Sequence, residues 1–271
     1  MPCRRLLPFL IVILSFSILS CGGPEERKMK FYNKGKALYE KGDYVKARLE
    51  FKNALQIDPK FAKAYYMLGM NELKEKNWRQ AFGYLNKAVK LEPGLYDAQV
   101  ALGNLFAAAG QTEQAREKAE QVLSKHPDNE GALMLKANCL IAEGKTQEAE
   151  TILTSLIKKD PKNFRPYIGL AKSRLTQKDT QGAIKALRDL LKQDEKNKVA
   201  RLMLAEILER DHNLSGAEEQ YQTLIRQNPG NEDFKLLLAM YDTRNGQAGS
   251  AEKILTDLTT AHPEEEKYRT A

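Results

Sequence analysis

Alanine recurs at one fixed interval along this chain: Ala47, Ala81, Ala115, Ala149, Ala183, Ala217 and Ala251, each 34 residues after the last. No insertion or deletion interrupts the series. A constant period of this length means one supersecondary unit stacked on copies of itself. A stack of that kind offers a long surface, and not a single crevice, and such surfaces bind other chains.

Composition agrees with a helical array. Charged residues make up 29% and aromatics 8% of the 271 residues, and glycine and proline are few and regularly placed, unlike a disordered chain. There are three cysteines, Cys3, Cys21 and Cys139. The first two lie in or beside an N-terminal leader, which leaves one thiol for the folded part. Neither a disulfide framework nor a cysteine-based metal site can be built from it.

The leader reads MPCRRLLPFLIVILSFSILSC over residues 1–21. Arg4 and Arg5 precede an apolar stretch, Leu6 to Leu19, that is short of the ~20 residues a spanning helix needs, so a signal peptide is expected. It ends Leu19-Ser20-Cys21-Gly22 and resembles the bacterial lipobox, although Leu19 stands where a smaller residue is commoner. The resemblance implies lipidation at Cys21, which would become the new N-terminus. The other reading is an uncleaved signal anchor. Two or more acyl chains hold a protein stably on a membrane. By the same resemblance, Gly22 in place of the aspartate that retains lipoproteins on an inner membrane implies an outer-membrane, periplasm-facing address in the cell envelope. Residues 22–27 are expected as a short linker.

Seven units follow, 28–61, 62–95, 96–129, 130–163, 164–197, 198–231 and 232–265, with 266–271 as an incomplete further repeat or tail. The eighth column is Gly35, Gly69, Gly103, Ala137, Ala171, Ala205 and Ala239. The twentieth is the alanine series. The thirty-second is Pro59, Pro93, Pro127, Pro161, Glu195, Pro229 and Pro263. Small residues at two fixed places let paired helices approach closely, where a larger side chain would overpack the crossing. Apolar residues three to four apart, such as Tyr65 and Leu68, then Leu85 and Leu91, mark amphipathic helices. Gly42, Gly110 and Gly144 sit where a helix ends in a left-handed residue, and the prolines stop the second helix. This pattern resembles the tetratricopeptide repeat. The fold it implies is all-α: a right-handed α-solenoid superhelix of about seven helix-turn-helix units.

Three positions depart from the pattern. Glu195 replaces the proline of the fifth unit, where the second helix is expected to run on or the stack to bend. Lys34 and Lys136 replace the usual leucine at the seventh column, where their stems could snorkel over a neighbouring helix.

In the family resembled, the first helices line a concave groove through their second, fifth, sixth, ninth, twelfth and thirteenth residues. Carried onto this chain, those positions include Tyr66, Met70, Val100, Ala101, Asn104, Met134, Leu135, Asn138 and Ile141, then Ile168, Leu202, Met203, Leu236, Leu237 and Met240. The lining is apolar with scattered amides, suited to a protein or peptide ligand with hydrophobic anchors. The alternative for each residue is plain packing against adjacent helices. The lysine–asparagine clamp that some members use for acidic C-termini is absent, since Tyr32, Lys36, Tyr66 and Met70 stand in its place.

Charge is uneven: the first unit carries nine Lys and Arg against four Asp and Glu, the seventh three against seven. Lys28, Lys30 and Lys34 could meet anionic headgroups, the alternative being a solvated lysine-rich face. No nucleic-acid motif occurs. His126, His212 and His262 fall in turns without ligand spacing, and no phosphate-cradling glycine loop is present. The chain is therefore expected not to be an enzyme and to use no cofactor or metal. The seventh unit is expected to leave Ile254, Leu255 and Leu258 uncovered, offering a contact through the C-terminal end for a further repeat, a second copy or a partner.

The stretch CGGPEERKMKFYNKGKALYEKGDYVKARLEFKNALQIDP is similar to the start of tetratricopeptide lipoproteins associated with exopolysaccharide and exosortase (PEP-CTERM) loci. That resemblance implies a membrane-anchored scaffold in envelope assembly or secretion. Pilus-assembly lipoproteins of the same repeat class are a second possibility, and a carbohydrate-binding accessory a third.

Overall fold

A computed structural model describes residues 23–269, and the signal segment, the lipobox and Cys21 lie outside them. Among the described residues the structure is all-helical: fourteen α-helices and a closing 3-10 turn. None of these helices is long and apolar enough to cross a membrane. The chain divides into two compact units at Leu95 and Tyr96.

The N-terminal unit holds two hairpins, α1 (Pro24–Glu40) with α2 (Tyr44–Ile57) and α3 (Ala62–Lys74) with α4 (Trp78–Leu91). The C-terminal unit holds five: α5 (Tyr96–Ala108) with α6 (Thr112–Leu123), α7 (Glu130–Ala142) with α8 (Thr146–Lys159), α9 (Phe164–Thr176) with α10 (Thr180–Gln193), α11 (Lys198–Arg210) with α12 (Leu214–Gln227), and α13 (Glu232–Arg244) with α14 (Ala248–Ala261). Each hairpin packs on the next within its unit, which is the α-solenoid arrangement.

The small-residue columns do what their size permits. Six of the seven column alanines are fully buried, and Ala251 is nearly so. Opposite them, a Cβ on Gly35 would sit 2.6 Å from the Phe51 ring, and one on Gly69 2.6 Å from Leu85. A Cβ on Gly103 in the third hairpin would likewise run into Leu135, so the first three hairpins need glycine where the later four accept alanine, because their helices bring a large side chain against that spot.

The hairpin turns share one geometry. The second residue past each first helix has positive φ: Gly42, Gly110, Gly144 and Gly246, but also Lys76 (60°), Lys178 (60°) and His212 (57°). The next residue donates its N–H five residues back, as Asp43 to Leu38 at 3.0 Å and Asn213 to Leu208 at 2.9 Å, the Schellman closure of a helix. Three of seven units thus hold a side chain in a conformation that glycine takes without cost.

Several boundaries differ from expectation. Pro24 opens α1, so residues 24–27, expected in the linker, form its first turn; proline suits that place because its missing N–H would be unpaired anyway. The fifth unit ends its second helix in register at Gln193 despite lacking proline. The Asp194 carboxylate accepts from Lys196 N–H and Asn197 Nδ2, and the Glu195 carbonyl accepts from the buried Arg201 guanidinium at 2.7 Å. Side-chain hydrogen bonds stop that helix where a ring does elsewhere. Lys34 does not snorkel: it is exposed and pairs with the buried Glu50 at 2.6 Å. At the far end Leu258 is buried and Ile254 and Leu255 are half-buried, so they are less open than expected. Tyr268, in the turn Glu266–Tyr268, is itself buried there.

Candidate functional site

The two faces of a hairpin stack are not equivalent. In the first three hairpins of the C-terminal unit α5 packs on α7 and α7 on α9, while no comparable contact joins α6 to α8 or α8 to α10; α9 to α11 and α11 to α13 show none either. First helices that touch across repeats, with second helices spread, curve that part of the stack toward its first helices. That side is where the sequence places its candidate residues.

The fifth column of the first helices forms a half-buried apolar row: Val100, Met134, Ile168, Leu202 and Leu236. The ninth column beside it is exposed and varied: Asn104, Asn138, Lys172, Glu206 and Met240. Val100 lies against the start of α7, since a Cβ on Gly131 would stand 3.2 Å from it. Met134 and Ile141 pack against the cluster around Leu140 and Leu153. Ile168, Leu202, Met203 and Leu237 pack against the larger cluster around Leu187, Leu204 and Tyr221. Leu135 and Ala101 are buried. They are core residues, contrary to their assignment to the lining, because the sixth column turns toward the second helix. In the N-terminal unit Tyr66 and Met70 are half-buried, with Tyr66 against the cluster of Phe51 and Leu68. The row is apolar support with an exposed polar and methionine edge, a surface that can accept side chains of another polypeptide.

Ion pairs set the spacing of the hairpins behind this face. Arg48 on α2 reaches the fully buried Glu72 on α3 through Nε at 2.5 Å, and Asn77 adds a bond at 2.8 Å. On α8 and α9 the polarity is reversed: buried Glu150 receives Arg174 at 2.7 Å, Ser173 at 3.2 Å and Gln177. Arg244 and Asn245 hold Glu209. The Arg244 guanidinium draws the Glu209 carboxyl below the usual range, with Asn245 helping against the opposing effect of burial.

The one thiol and two of the histidines among the described residues are taken up in packing and pairing. Cys139 is buried, and burial pushes its thiol up to about 11, which removes the thiolate needed for nucleophilic chemistry at neutral pH. His126 packs edge-on against Tyr96, ring centroids 4.4 Å apart, and His262 pairs with Glu232 at 2.7 Å. Among the described residues no group of three or more His, Cys, Asp or Glu could hold a metal.

Sequence reasoning missed one surface. Val45, Leu49 and Trp78 are 67%, 57% and 57% exposed on the outer second helices of the N-terminal unit. The signal was in the columns. Val45 aligns with Arg79, Glu113, Gln147, Gln181 and Ser215, and Leu49 with Gly83, Glu117, Thr151, Lys185 and Glu219. Apolar side chains there serve no core.

Hairpins of constant length, closed by one turn geometry and stacked through small-residue columns, define a helical-repeat interaction protein. The chain belongs to the tetratricopeptide repeat family, a family of protein-interaction scaffolds. Tetratricopeptide repeat family profiles match residues 106–173, 174–241 and 210–271, and two further profiles match 35–70 and 63–94. No curated protein matches the sequence significantly. Solved structures with a similar fold include a tetratricopeptide repeat protein from Parabacteroides merdae, 14% identical, TM-score 0.64, over 90% of this chain and 97% of that one. PilW, a widely conserved type IV pilus biogenesis factor, is 18% identical with TM-score 0.65 over 78% and 98%. YrrB, described as having an unusual peptide-binding site, is 18% identical with TM-score 0.50 over 65% and 91%.

Proposed function

We propose that this chain is a lipid-anchored scaffold of the bacterial envelope that grips a protein or peptide along the first helices of its C-terminal unit. The observation that carries the reading is the apolar fifth column beside the exposed ninth column. It presents hydrophobic seats and hydrogen-bonding amides together, at a spacing set by the repeat. The anchor reading rests on the lipobox resemblance at Cys21, and places the protein at the outer membrane facing the periplasm. With α1 starting at Pro24, the three residues from Cys21 reach roughly 10 Å when extended, so the first hairpin would sit close to the headgroups. The likeness of the leader and first repeat to exosortase-associated lipoproteins supports a role in exopolysaccharide or protein secretion. A pilus-assembly role is the second reading, favoured by the fold shared with PilW. The mapped positions of the C-terminal unit include no aromatic residue on which a sugar could stack, which counts against the carbohydrate reading.

The test is capture of envelope proteins on the purified protein, compared with Asn138→Arg combined with Met240→Glu. Both residues are exposed, so the fold should survive the change. Glutamate at Met134 or Leu202 is a poorer test, because both side chains pack on core clusters. Loss of a specific secretion component in the variant supports the scaffold, and recovery of pilus components supports the second reading. Capture unchanged by the double variant would remove the first-helix face from consideration. Mass spectrometry of the mature N-terminus tests lipidation at Cys21 separately.

A further inference from the structure

We infer that the outer face of the N-terminal unit is a membrane-contact surface, built from the second helices and directed at an anionic bilayer. This goes beyond the partner-binding reading and does not depend on it, since it concerns the other side of the hairpins.

Three observations converge. First, Val45 and Leu49 lie one helical turn apart on the outer stripe of α2, and Trp78 opens α4 at the neighbouring column. Exposed valine, leucine and tryptophan at helix surfaces are the side chains that enter the boundary between headgroups and acyl chains. Second, cations surround them. Lys52 continues the α2 stripe, while Lys41, Lys76 and Arg79 flank the helix starts, and all are exposed. Lys46 is paired with Asp43 at 2.9 Å. Third, the charge is confined to this unit. Residues 23–95 carry sixteen Lys and Arg against nine Asp and Glu, whereas 96–271 carry twenty-five against twenty-seven. Basic side chains beside an anionic leaflet are attracted within about a Debye length.

Of the three lysines expected to hold this role, Lys30 remains exposed, while Lys28 and Lys34 are engaged by carboxylates. Lys28 is buried, bonded to Glu25 at 2.7 Å and Asp58 at 3.0 Å and lying 4.6 Å over the Phe61 ring. Lys34 is committed to Glu50. An apolar stripe edged with cations, on the most basic part of the chain, fits an anionic lipid surface better than a protein partner, which would need apolar area without the surplus charge.

Trp78 is the one tryptophan in the sequence and reports on this face directly. The full chain is reconstituted on vesicles of phosphatidylcholine alone, or of equal parts phosphatidylcholine and phosphatidylglycerol, each with or without acyl-chain-brominated lipid. Tethering through the N-terminus is then common to both sets, and the difference lies in what Trp78 meets. The expected result is a blue-shifted emission and quenching on the anionic vesicles, several-fold weaker on neutral ones and reduced by high salt. Val45→Ser with Leu49→Ser should cut the quenching several-fold at unchanged helicity, as should Lys52→Glu with Arg79→Glu. Equal quenching on neutral and anionic vesicles, or none on either, would overturn the proposal. So would a Trp78 shift that requires an added envelope protein and not lipid.

Discussion

The two units are built from one repeat and solve its packing problem differently. In the N-terminal unit, glycine at the eighth column faces Phe51 and Leu85. From the fourth hairpin on, alanine takes that column, and Leu153, Leu187 and Tyr221 stand where Phe51 and Leu85 do. The entry to the first helix differs too. Asn129, Asn163, Asn197 and Asn231 cap α7, α9, α11 and α13 through their side chains. At the same column the N-terminal unit has Phe61, whose ring packs edge-on against Tyr32 at 5.1 Å. The tight glycine crossing carries over into the third hairpin at Gly103, but the entry to the first helix changes from an aromatic contact in one region to hydrogen-bonded caps in the other. The lesson is that a fixed repeat length constrains the backbone path but leaves the chemistry of each joint open.

That comparison can be broken most forcefully at the buried ion pairs. Arg48→Met leaves the fully buried Glu72 without a cationic partner and with the Asn77 amide as its one remaining side-chain donor, and should cost ~3–5 kcal/mol. Arg174→Met leaves Glu150 with Ser173 and Gln177 and should cost only ~1–2 kcal/mol, because the remaining donors limit the desolvation penalty. Hydrogen exchange resolved by helix should show the larger loss of protection in α1–α4; equal losses would refute the difference. Next comes the eighth column. Gly35→Ala must displace the Phe51 ring and should destabilise by ~1–3 kcal/mol. Ala171→Gly should cost about 1 kcal/mol through backbone freedom. Denaturant titration followed at Trp78 for the former, and by far-UV circular dichroism for the latter, checks both.

Smaller effects sharpen the joints. Lys76→Gly and His212→Gly relieve positive φ and should each stabilise by ~0.5–1 kcal/mol, whereas Gly42→Ala should destabilise. Identical melting of Lys76→Gly and the parent would show that the turn carries no strain. Acid has the mildest effect of these. Lys28, with the Lys60 N–H, holds the Asp58 carboxyl low, and Arg244 does the same for Glu209. A depressed carboxyl contributes stability above its unfolded pKa of about 4, and that contribution is lost as pH falls through the folded value. Stability should thus decline below about pH 4. Glu209→Gln should flatten the decline more than Asp58→Asn, since the Glu209 side chain is the less exposed.

Much of the fold was legible in the chain. The seven hairpins follow from the 34-residue columns, and the left-handed turns at Gly42, Gly110 and Gly144 from glycine itself. Lys76, Lys178 and His212 gave no such signal, since a side chain in that conformation is tolerated only because the hairpin around it leaves no other path. The start of α1 was misplaced by four residues because the repeat frame was carried to Lys28, although Pro24 followed by Glu25 and Glu26 is a helix-opening pattern. Of the candidate face, the fifth and ninth columns were placed on the surface side of the first helices, while Leu135 and Ala101 were not separable from them by spacing. Val45, Leu49 and Trp78 could have been found by reading columns for apolar residues that contribute to no core.

By itself, the sequence determined the repeat, its register and the sites where helices must approach closely, because those depend on residue size and backbone freedom at fixed intervals. The tertiary structure decided which charges are spent inside. Lys28 and Lys34 read as free cations until Asp58 and Glu50 are brought beside them, and Glu72 and Glu150 read as surface acids until an arginine from the adjoining hairpin buries each. Pairing across repeats depends on which side chains meet in space, and no spacing along one chain states that.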